Sequence, residues 1–575
     1  MRTMRWTIPG LVAFAALVGA VRGDEIAIDS AMYNDPQVEV PPRITVFSTR
    51  AQLKSLWLNA LAHPESDLKR QVAESIANAH HNGMPDLLDT AAPLTKELDA
   101  KGQHPLVRLA TARALVVLDA RQFAEVLFKH AGTDGLDMSL LVEPALAKWD
   151  YQPARKVWLE RLSDNQVSRQ LRLLAIRGLA TVGETKANSH LLRLANASDL
   201  SPVVRLEAAR AVSRLQTEGL QNSARNLMKN RSSQGLVNRL VAVSLLRGHR
   251  GKEAESLLLE LAVDSEPAVA AIALERLLEI DPGLILPIVE RTIASPDAKV
   301  RHLGAKALVA RPTDKAVTQL GPLLDDPHPE VRSFVRESLF EMASDPQLGL
   351  RDGIILVATK TLSSDRWRGL EQSTMLLAAL DHKPIADRMV ELLEFERPEV
   401  LVTAAWSLRR LAIPSTLEAM FDKAQRQVKN FKTTTPVKTS FEGVDQQVSQ
   451  LFQAFGEMKF RQSDSLLRLH IPKSRTMIES RAAAIWALGH FYAGNPQSDL
   501  STSLSGRIAD TNPMNPEDDR VRRMSAASLG RMQAKDALPT LKQFYETETV
   551  NSSVGFVCGW AVHQITGEAI LKPVV

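Results

Sequence analysis

The sequence predicts an all-α solenoid, a superhelix of about fifteen helix pairs stacked in series. A short helical pattern, whose strongest copies begin with a hydrophobic residue and Arg, recurs fifteen times between Leu68 and Val554, at a mean step of about 35 residues. Aromatic residues make up only 5% of the chain, which disfavours an aromatic-rich β architecture. The strong copies are rich in alanine and leucine, the residues that helices prefer.

The spacing within one copy predicts a helix with one buried side. With Val204 as position 0, apolar residues at positions 0, 4 and 8 follow the 3.6-residue period of an α-helix. A turn rich in Pro and Asp precedes the helix, as at 199–202, and a second Leu-rich segment lies before a turn, as at 254–262. Because one helix pair cannot bury its apolar faces alone, the pairs are expected to stack.

Position 0 is occupied by fifteen residues, which we call anchors: Leu68, Val107, Leu141, Leu171, Val204, Val237, Val269, Val300, Val331, Trp367, Val400, Val444, Ser480, Val521 and Val554. Four copies read PVVRLEAARAV (202–212), KVRHLGAKAL (299–308), PEVRSFVRESL (329–339) and RVRRMSAASLG (520–530). These strings resemble HEAT repeats of the short bacterial kind that phycobilisome lyases also contain. The resemblance covers roughly residues 50–575 and implies an α-solenoid whose ordinary role is to bind other proteins.

The same resemblance implies a ladder of arginines at position 1, each paired with acids in the turns of neighbouring repeats. The alternative is ordinary solvated charge. The arginines are Arg108, Arg172, Arg205, Arg301, Arg332, Arg368, Arg481 and Arg522. Phycobilisome lyases are enzymes, so a lyase or an enzyme subunit that acts on a bound cofactor is the alternative function. Because the repeat itself carries no catalytic group, the sequence favours a non-enzymatic scaffold that binds proteins.

The N-terminus predicts export. Residues 1–23 combine a basic start with an apolar stretch of 14 residues, Ile8–Val21, and small residues suit cleavage after Ala20 or Gly23. A membrane span needs about 20 apolar residues, so a cleaved signal peptide is favoured over a membrane anchor at 8–21. We expect a soluble mature protein, periplasmic or extracellular, without a stable membrane span.

Two segments depart from the repeat. Residues 24–50 contain three prolines and no helical period, so they are predicted to form an extended N-terminal arm. One step between anchors is 44 residues long and adds lysines around a Thr-Thr-Thr-Pro string, so residues 423–443 are predicted to form a basic polar loop. The HEAT-like repeats then occupy residues 51–422 and 444–575.

Charge and motif content exclude several classes of function. The net charge is +4, and three of the positive residues precede residue 24, so the remainder offers no net field for nucleic acid. The single cysteine, Cys558, excludes an intramolecular disulfide and a cysteine zinc cluster. Motifs of zinc proteases, serine hydrolases and nucleotide-binding loops are absent, and the adjacent His80 and His81 do not share a helix face. We therefore predict no catalytic residue, no metal and no cofactor.

Position 6 of the pattern predicts a partner-binding surface near the C-terminus. Seven of its fifteen residues are charged, so we expect this position to face water, yet three of the last five copies hold tryptophan. With nearby lysines, these indoles would form an aromatic floor and a cationic flank suited to an acidic protein segment. The alternative is that they pack against a neighbouring helix. The candidate residues are Trp406, Trp486, Trp560, Lys429, Lys432 and Lys438.

Overall fold

The computed structural model describes residues 51–229, 235–433, 438–474, 477–549 and 552–567. The predicted signal peptide, its alternative as an anchor, and the predicted N-terminal arm lie outside the described residues. Throughout the described ranges the regular secondary structure is helical, without a strand. None of these described helices has the length and apolar character needed to cross a bilayer.

The chain divides into two compact units. The N-terminal unit, Phe47–Ala310, has sixteen α-helices among its described residues. They are α1 Ala51–Leu61, α2 Ser66–His81, α3 Ala91–Leu98, α4 Pro105–Val117, α5 Ala124–Thr133, α6 Leu136–Lys148, α7 Gln152–Ser163, α8 Arg169–Thr181, α9 Asn188–Asn196, α10 Pro202–Leu215, α11 Gln221–Lys229, α12 Gly235–Leu245, α13 Lys252–Ala262, α14 Pro267–Ile280, α15 Val289–Ile293 and α16 Ala298–Val309.

The C-terminal unit contains Arg311–Val575 and has fourteen α-helices in its described part. They are α17 Asp314–Leu320, α18 Pro329–Ser344, α19 Arg351–Leu362, α20 Trp367–Ala379, α21 Ala386–Leu392, α22 Pro398–Leu411, α23 Leu417–Thr433, α24 Lys438–Glu457, α25 Asp464–Arg468, α26 Ile478–Phe491, α27 Ser498–Ala509, α28 Asp519–Met532, α29 Leu538–Thr547 and α30 Ser553–Thr566.

Odd- and even-numbered helices have different places in the fold. Each even-numbered helix contains one of the fifteen predicted anchors, from Leu68 in α2 to Val554 in α30. Within each unit, successive even-numbered helices pack against one another, and each odd-numbered helix packs on the even-numbered helix that follows it. At α18 the short 3-10 segment Gly321–Asp325 makes this contact in place of α17. The predicted all-α solenoid of helix pairs is confirmed.

The predicted register of the repeat is also confirmed. In α10, Val204, Ala208 and Val212 at positions 0, 4 and 8 are no more than 2% exposed. Ala209 at position 5 is completely buried, and its small side chain lets a neighbouring helix approach. Pro202 is the first residue of α10, as a proline is the first residue of α4, α14, α18 and α22. The fixed φ of proline suits this position, where its missing N–H has no helical partner to lose.

The prediction of a basic loop over residues 423–443 is wrong. Helix α23 continues to Thr433, and α24 begins at Lys438. Only residues 434–437 between them lie outside the described ranges. The 44-residue step between anchors therefore reflects two long helices.

Helix α23 forms because its cationic residues leave one side of the helix apolar. Met420, Ala424 and Val428 recur at the helical spacing of four residues, and all three are buried. Lys423 lies close to this stripe, and its Nζ donates to a carboxylate oxygen of Glu394 at 2.6 Å. The lysine content of the segment suggested a loop, whereas the apolar spacing decides the structure.

Candidate protein-binding surface

The tryptophans at position 6 do not form an exposed aromatic floor. Trp406 and Trp486 are only 3% and 6% exposed, so the expectation that their rings face solvent is wrong. Trp560 is half-buried. The alternative, that the indoles pack against neighbouring helices, describes Trp406 and Trp486.

Close packing between even-numbered helices explains this burial. Trp486 of α26 lies over Gly456 of α24, and Trp560 of α30 lies over Gly530 of α28. A Cβ atom at either glycine would come within 2.8 Å of the indole, so each glycine leaves the room that the ring fills. Trp406 lies in α22, which packs between α20 and α24 and buries every side chain from residue 400 to residue 408.

Of the three predicted lysines, only one has a described side chain. Lys429 of α23 is exposed. Lys432 lies in α23 and Lys438 begins α24, but the side chains of both lie outside the described residues. A role of these three lysines in binding stays a prediction. The aromatic floor that they were predicted to flank does not form.

Position 6 is exposed in some copies and buried in others, and it is buried without exception only from α20 to α28. Arg113, Arg177 and Arg210 are exposed at this position in the N-terminal unit. From Ser373 in α20 to Ala527 in α28, every residue at position 6 is buried. The prediction assumed that all fifteen copies are equivalent, and it failed because the even-numbered helices of the C-terminal unit also pack across this side.

The N-terminal unit carries a row of exposed apolar side chains at position −1. Leu106, Leu140, Val203 and Leu236, near the starts of α4, α6, α10 and α12, are 54%, 43%, 51% and 41% exposed. Gln170 holds this position in the intervening α8. The row was not predicted, because the repeat was recognised by its buried positions. The available signal was an apolar residue immediately before the anchor in four of five consecutive copies.

Arginines hold position 6 beside the apolar row in α4, α8 and α10, whereas the α6 and α12 copies have the buried Ala147 and Val243 there. Positions −1 and 6 are seven residues apart, so they share one side of a helix at a separation of about 10 Å. Arg177 and Arg210 share one carboxylate, that of Glu207, at 2.7 and 3.7 Å. Among the described residues, the guanidinium of Arg113 has neither an ion-pair nor a hydrogen-bond partner. The arginine row therefore keeps a net positive charge.

We call these two rows together the Leu/Arg face. Its residues are Leu106, Leu140, Val203, Leu236, Arg113, Arg177 and Arg210.

A groove adjoins the apolar row between α4 and α6. Leu106 and Leu109 of α4 line one side, and Asp137 and Met138 of α6 line the other. Asp134, in the turn before α6, also lines the groove. The groove therefore adds a concave area with both apolar and polar lining to the exposed row.

Most arginines at position 1 connect their repeat to the next one, as the resemblance implied, but Arg172 donates to the carbonyl oxygen of Asp164 in the turn of its own repeat. Arg481 of α26 donates to the carbonyl oxygens of His470 and Ile471 at 3.2 Å, in the turn of its own repeat, and pairs with Glu517 in the next turn. Arg522 donates to the carbonyl oxygen of Ile508, near the end of α27, and pairs with Glu548 at 2.5 Å.

The ladder of position-1 arginines varies along the chain. Arg108 pairs with Asp134 at 3.3 Å, whereas Arg205 donates to the amide oxygen of Asn238 at 2.7 Å. In each case the partner lies one repeat further along the chain. These contacts have a structural role, because the guanidinium groups of Arg205, Arg481 and Arg522 are buried and committed to backbone and neighbouring side chains.

The described residues offer no obvious reactive centre. Burial raises the pKa of the Cys558 thiol to about 12, so the thiolate required of a nucleophile is scarce near neutral pH. No group of three His, Cys, Asp or Glu side chains within the described ranges could hold a metal ion.

His490 gives the C-terminal unit a predicted sensitivity to acid. Its ring lies 3.9 Å from the Trp486 ring, and burial, assisted by the charge of Lys459, lowers the pKa of His490 to about 4. The unfolded chain takes up this proton near pH 6.5, whereas the folded chain resists it until about pH 4. The stability contributed by the neutral His490 is therefore fully present above pH 6.5 and is lost as the pH falls towards 4.

Replacing His490 with Phe is expected to remove about 2–3 kcal/mol of this pH dependence. The measurement is denaturant unfolding of the C-terminal unit at pH 7 and at about pH 4.5, followed by hydrogen exchange in α26. The exposed His81→Phe variant serves as the control and should retain the wild-type acid sensitivity. Equal losses in the wild-type and His490→Phe proteins would contradict the assignment.

Comparison with known proteins gives similarity at the level of the fold. No family model matches the chain, and no curated protein matches it. A crystal structure of importin β is 13% identical, with a TM-score of 0.51, and the match covers 89% of this chain and 72% of that one. Yeast importin β, Kap95p, is 12% identical, with a TM-score of 0.51, over 90% of this chain and 72% of that one.

Kap95p in a structure with RanGDP is similar to the same degree. It is 13% identical, with a TM-score of 0.53, and the match again covers 90% of this chain and 72% of that one. Identity this low carries the fold alone. The chain has the α-solenoid fold of HEAT-repeat proteins, as its repeated pattern predicted.

Proposed function

We propose that this HEAT-repeat α-solenoid is a non-enzymatic, exported scaffold that binds one or more proteins of the cell envelope. The observation that carries the proposal is the Leu/Arg face of the N-terminal unit. Exposed apolar side chains are ordinary when they are scattered, but here they recur at one position of successive repeats and lie beside a row of cations. Such a combination suits contact with another protein.

The use of the same fold in other molecules supports a binding role. Kap95p has been solved with Nup1 and with RanGDP, so an α-solenoid of this kind binds proteins in those complexes. Stacked helix pairs present long, regular surfaces, which suit contact with extended partners.

The proposed location outside the cytoplasm depends on the sequence of residues 1–23. A basic start, an apolar stretch and small residues before the expected cleavage sites are the parts of an export signal. We expect a mature chain that begins near residue 21 or 24 and is released without detergent. Mass analysis of the exported protein tests this, and an intact Met1 on a membrane-bound form would replace export by anchoring at residues 8–21.

The alternative function, a lyase or an enzyme subunit acting on a bound cofactor, has no observation in its favour among the described residues. Position 1 arginines serve the packing of repeats, and Cys558 is buried with a raised pKa.

Partner capture from the envelope tests the scaffold proposal. The mature chain is used to recover proteins from an envelope extract, in parallel with a variant that carries Leu106→Ser, Leu140→Ser and Val203→Ser. We expect a specific protein to be recovered by the wild type and lost from this variant, because the substitutions remove exposed apolar contact area without touching the buried core.

A matched control is available in apolar residues exposed elsewhere. Leu286, Leu348 and Leu356 are 39%, 36% and 71% exposed and lie outside the Leu/Arg face. Their triple replacement by Ser should leave capture unchanged. Recovery that survives the first triple variant would contradict binding through this face, and recovery of a chromophore or detection of turnover would favour the enzyme.

A further inference from the structure

Resting on the proposed function, we propose that the Leu/Arg face binds an extended segment of a partner protein in which apolar and acidic residues each recur every three residues. The spacing of the two rows, their charge, and their confinement to one part of the chain support this partner chemistry.

The spacing of the repeats matches that of an extended peptide. Neighbouring packed helices lie about 8–10 Å apart, so equivalent positions on successive even-numbered helices recur at that interval. A polyproline II segment rises about 3.1 Å per residue and has three residues per turn, so every third side chain recurs after about 9 Å on the same side. An extended segment that crosses α4 to α12 can therefore present one side chain to each repeat.

The separation of the two rows fits a single backbone lying between them. Position −1 and position 6 are about 10 Å apart along each helix. A segment that runs between the rows can direct apolar side chains towards Leu106, Leu140 and Val203. Its other side chains can then reach Arg113 and Arg210, each spanning about half of that distance.

The charge of the arginine row selects acidic side chains. Glu207 is shared by Arg177 and Arg210, so one carboxylate serves two guanidinium groups. Position 10 adds Arg214 and Arg247, which are exposed and have no ion-pair partner among the described residues. Guanidinium groups bind carboxylates by paired hydrogen bonds, which gives geometric selectivity as well as attraction.

The Leu/Arg face is confined to α4 through α12. Glu74 in α2 and Glu275 in α14 hold position 6 on either side of it, so the arginine row has acidic ends. In the C-terminal unit, five of the seven copies carry a charge of either sign at position −1, and the other two hold Gly443 and Ser553. The charged residues are Glu330, Arg366, Glu399, Glu479 and Arg520. A long acidic segment is therefore expected to bind at this one place and not equally along the whole protein chain.

A nucleic acid is a poorer match for the same face. Its phosphates would contact the arginines, but the bases of a duplex are stacked inside it and would not contact the apolar row. The net charge of the whole chain is only +4, which gives no general field for a polyanion. The apolar row distinguishes a protein segment from a polyanion, and the experiment makes use of this difference.

The test uses the mature full-length chain and a fluorescent peptide of about fifteen residues with the repeat Leu-Pro-Glu, which holds the polyproline II conformation. Binding is followed by fluorescence anisotropy at low and moderate salt. A peptide of identical composition in scrambled order is the first control, and a repeat of Leu-Pro-Lys is the second. We expect the periodic acidic peptide to bind at least about tenfold more tightly than either control.

Protein variants locate the binding. Arg113→Gln, Arg177→Gln and Arg210→Gln together are expected to weaken binding at least about tenfold and to reduce its salt dependence. The control triple Lys156→Gln, Lys186→Gln and Arg193→Gln removes the same charge from exposed positions outside the even-numbered helices, and should change binding by less than about twofold. Because all six side chains are exposed, circular dichroism and the melting temperature should stay unchanged for both triples.

The outcomes separate this inference from the proposed function. Equal binding of periodic and scrambled peptides, tighter binding of a duplex oligonucleotide, or no binding at all overturns the inference. If a protein partner is still captured from the envelope in that case, the scaffold function stands and only the partner chemistry is wrong. Periodic peptide binding that is lost in the Leu106, Leu140 and Val203 variant and in the arginine triple supports the inference.

Discussion

Replacing Arg481 with Met is expected to lower the unfolding free energy of the C-terminal repeats by about 3–5 kcal/mol. The side chains of Arg481 and Glu517 are each only 1% exposed, and their atoms meet in two hydrogen bonds of 2.8 and 2.7 Å. Removing the cation leaves a buried carboxylate with much less compensation, and it also leaves the carbonyl oxygens of His470 and Ile471 without this donor.

The pKa of Glu517 indicates how strongly the pair is held. Burial opposes the charged form, but the hydrogen bonds and charge of Arg481 outweigh it and lower the pKa of Glu517 below its ordinary value. The stabilisation is therefore complete above the pKa of an unfolded glutamate, about 4.3, and is lost as the pH falls through the folded value. At neutral pH the full effect of the substitution should be visible.

The measurement is hydrogen exchange in α26 and α28 during denaturant unfolding, since a repeat array of this size need not unfold in one step. Arg507 also contacts Glu517, at 3.1 Å, but its side chain is 22% exposed. Arg507→Met is the control and should cost about 1 kcal/mol or less. A double variant, Arg481→Met with Glu517→Leu, should recover part of the loss because it removes the uncompensated charge. An Arg481 variant no less stable than the Arg507 control would show that the buried pair contributes little.

Replacing Ala209 with Asp is expected to destabilise the N-terminal unit by about 3–5 kcal/mol. Ala209 is fully buried at position 5 of α10, where α10 packs against α8 and α12. An aspartate there places an uncompensated charge between packed helices. The damage should be greatest in the adjoining repeats, because each repeat contacts mainly its neighbours.

Ala268 offers a matched position for the same substitution. It is exposed near the start of α14, where a negative charge is favoured by the helix dipole. Ala268→Asp should leave the melting profile unchanged or raise it slightly. Hydrogen exchange in α8, α10 and α12 then distinguishes local damage from general loss of stability. An unchanged profile for Ala209→Asp would mean that the interface tolerates a charge.

The fold was predictable because the buried positions of the repeat obey one spacing rule. Anchors as different as Val204 and Trp367 mark even-numbered helices, since the period of apolar residues survives changes of residue type. The prediction failed in α23, where Lys423 and its neighbours suggested a loop. The buried series Met420, Ala424 and Val428 shows that apolar spacing outweighs local polarity.

The candidate site was less predictable because exposure depends on contacts between repeats. Trp486 occupies the same position as Arg177, yet one is buried and the other exposed. The difference comes from Gly456 in the preceding even-numbered helix, and one copy of the pattern does not contain that information. The apolar row at Leu106 was visible in the sequence, but only its exposure in the fold makes it a candidate for binding.

The indoles seated over glycines also have a mechanical consequence. A solenoid bends when neighbouring helix pairs shift slightly past one another, as in the shear motions of packed helices. An indole seated over Gly456 or Gly530 obstructs such a shift, because the ring already fills the space that a Cβ atom would take. We therefore expect the repeats from α24 to α30 to resist this bending. Replacing Gly456 with a residue that has a side chain would push α24 and α26 apart.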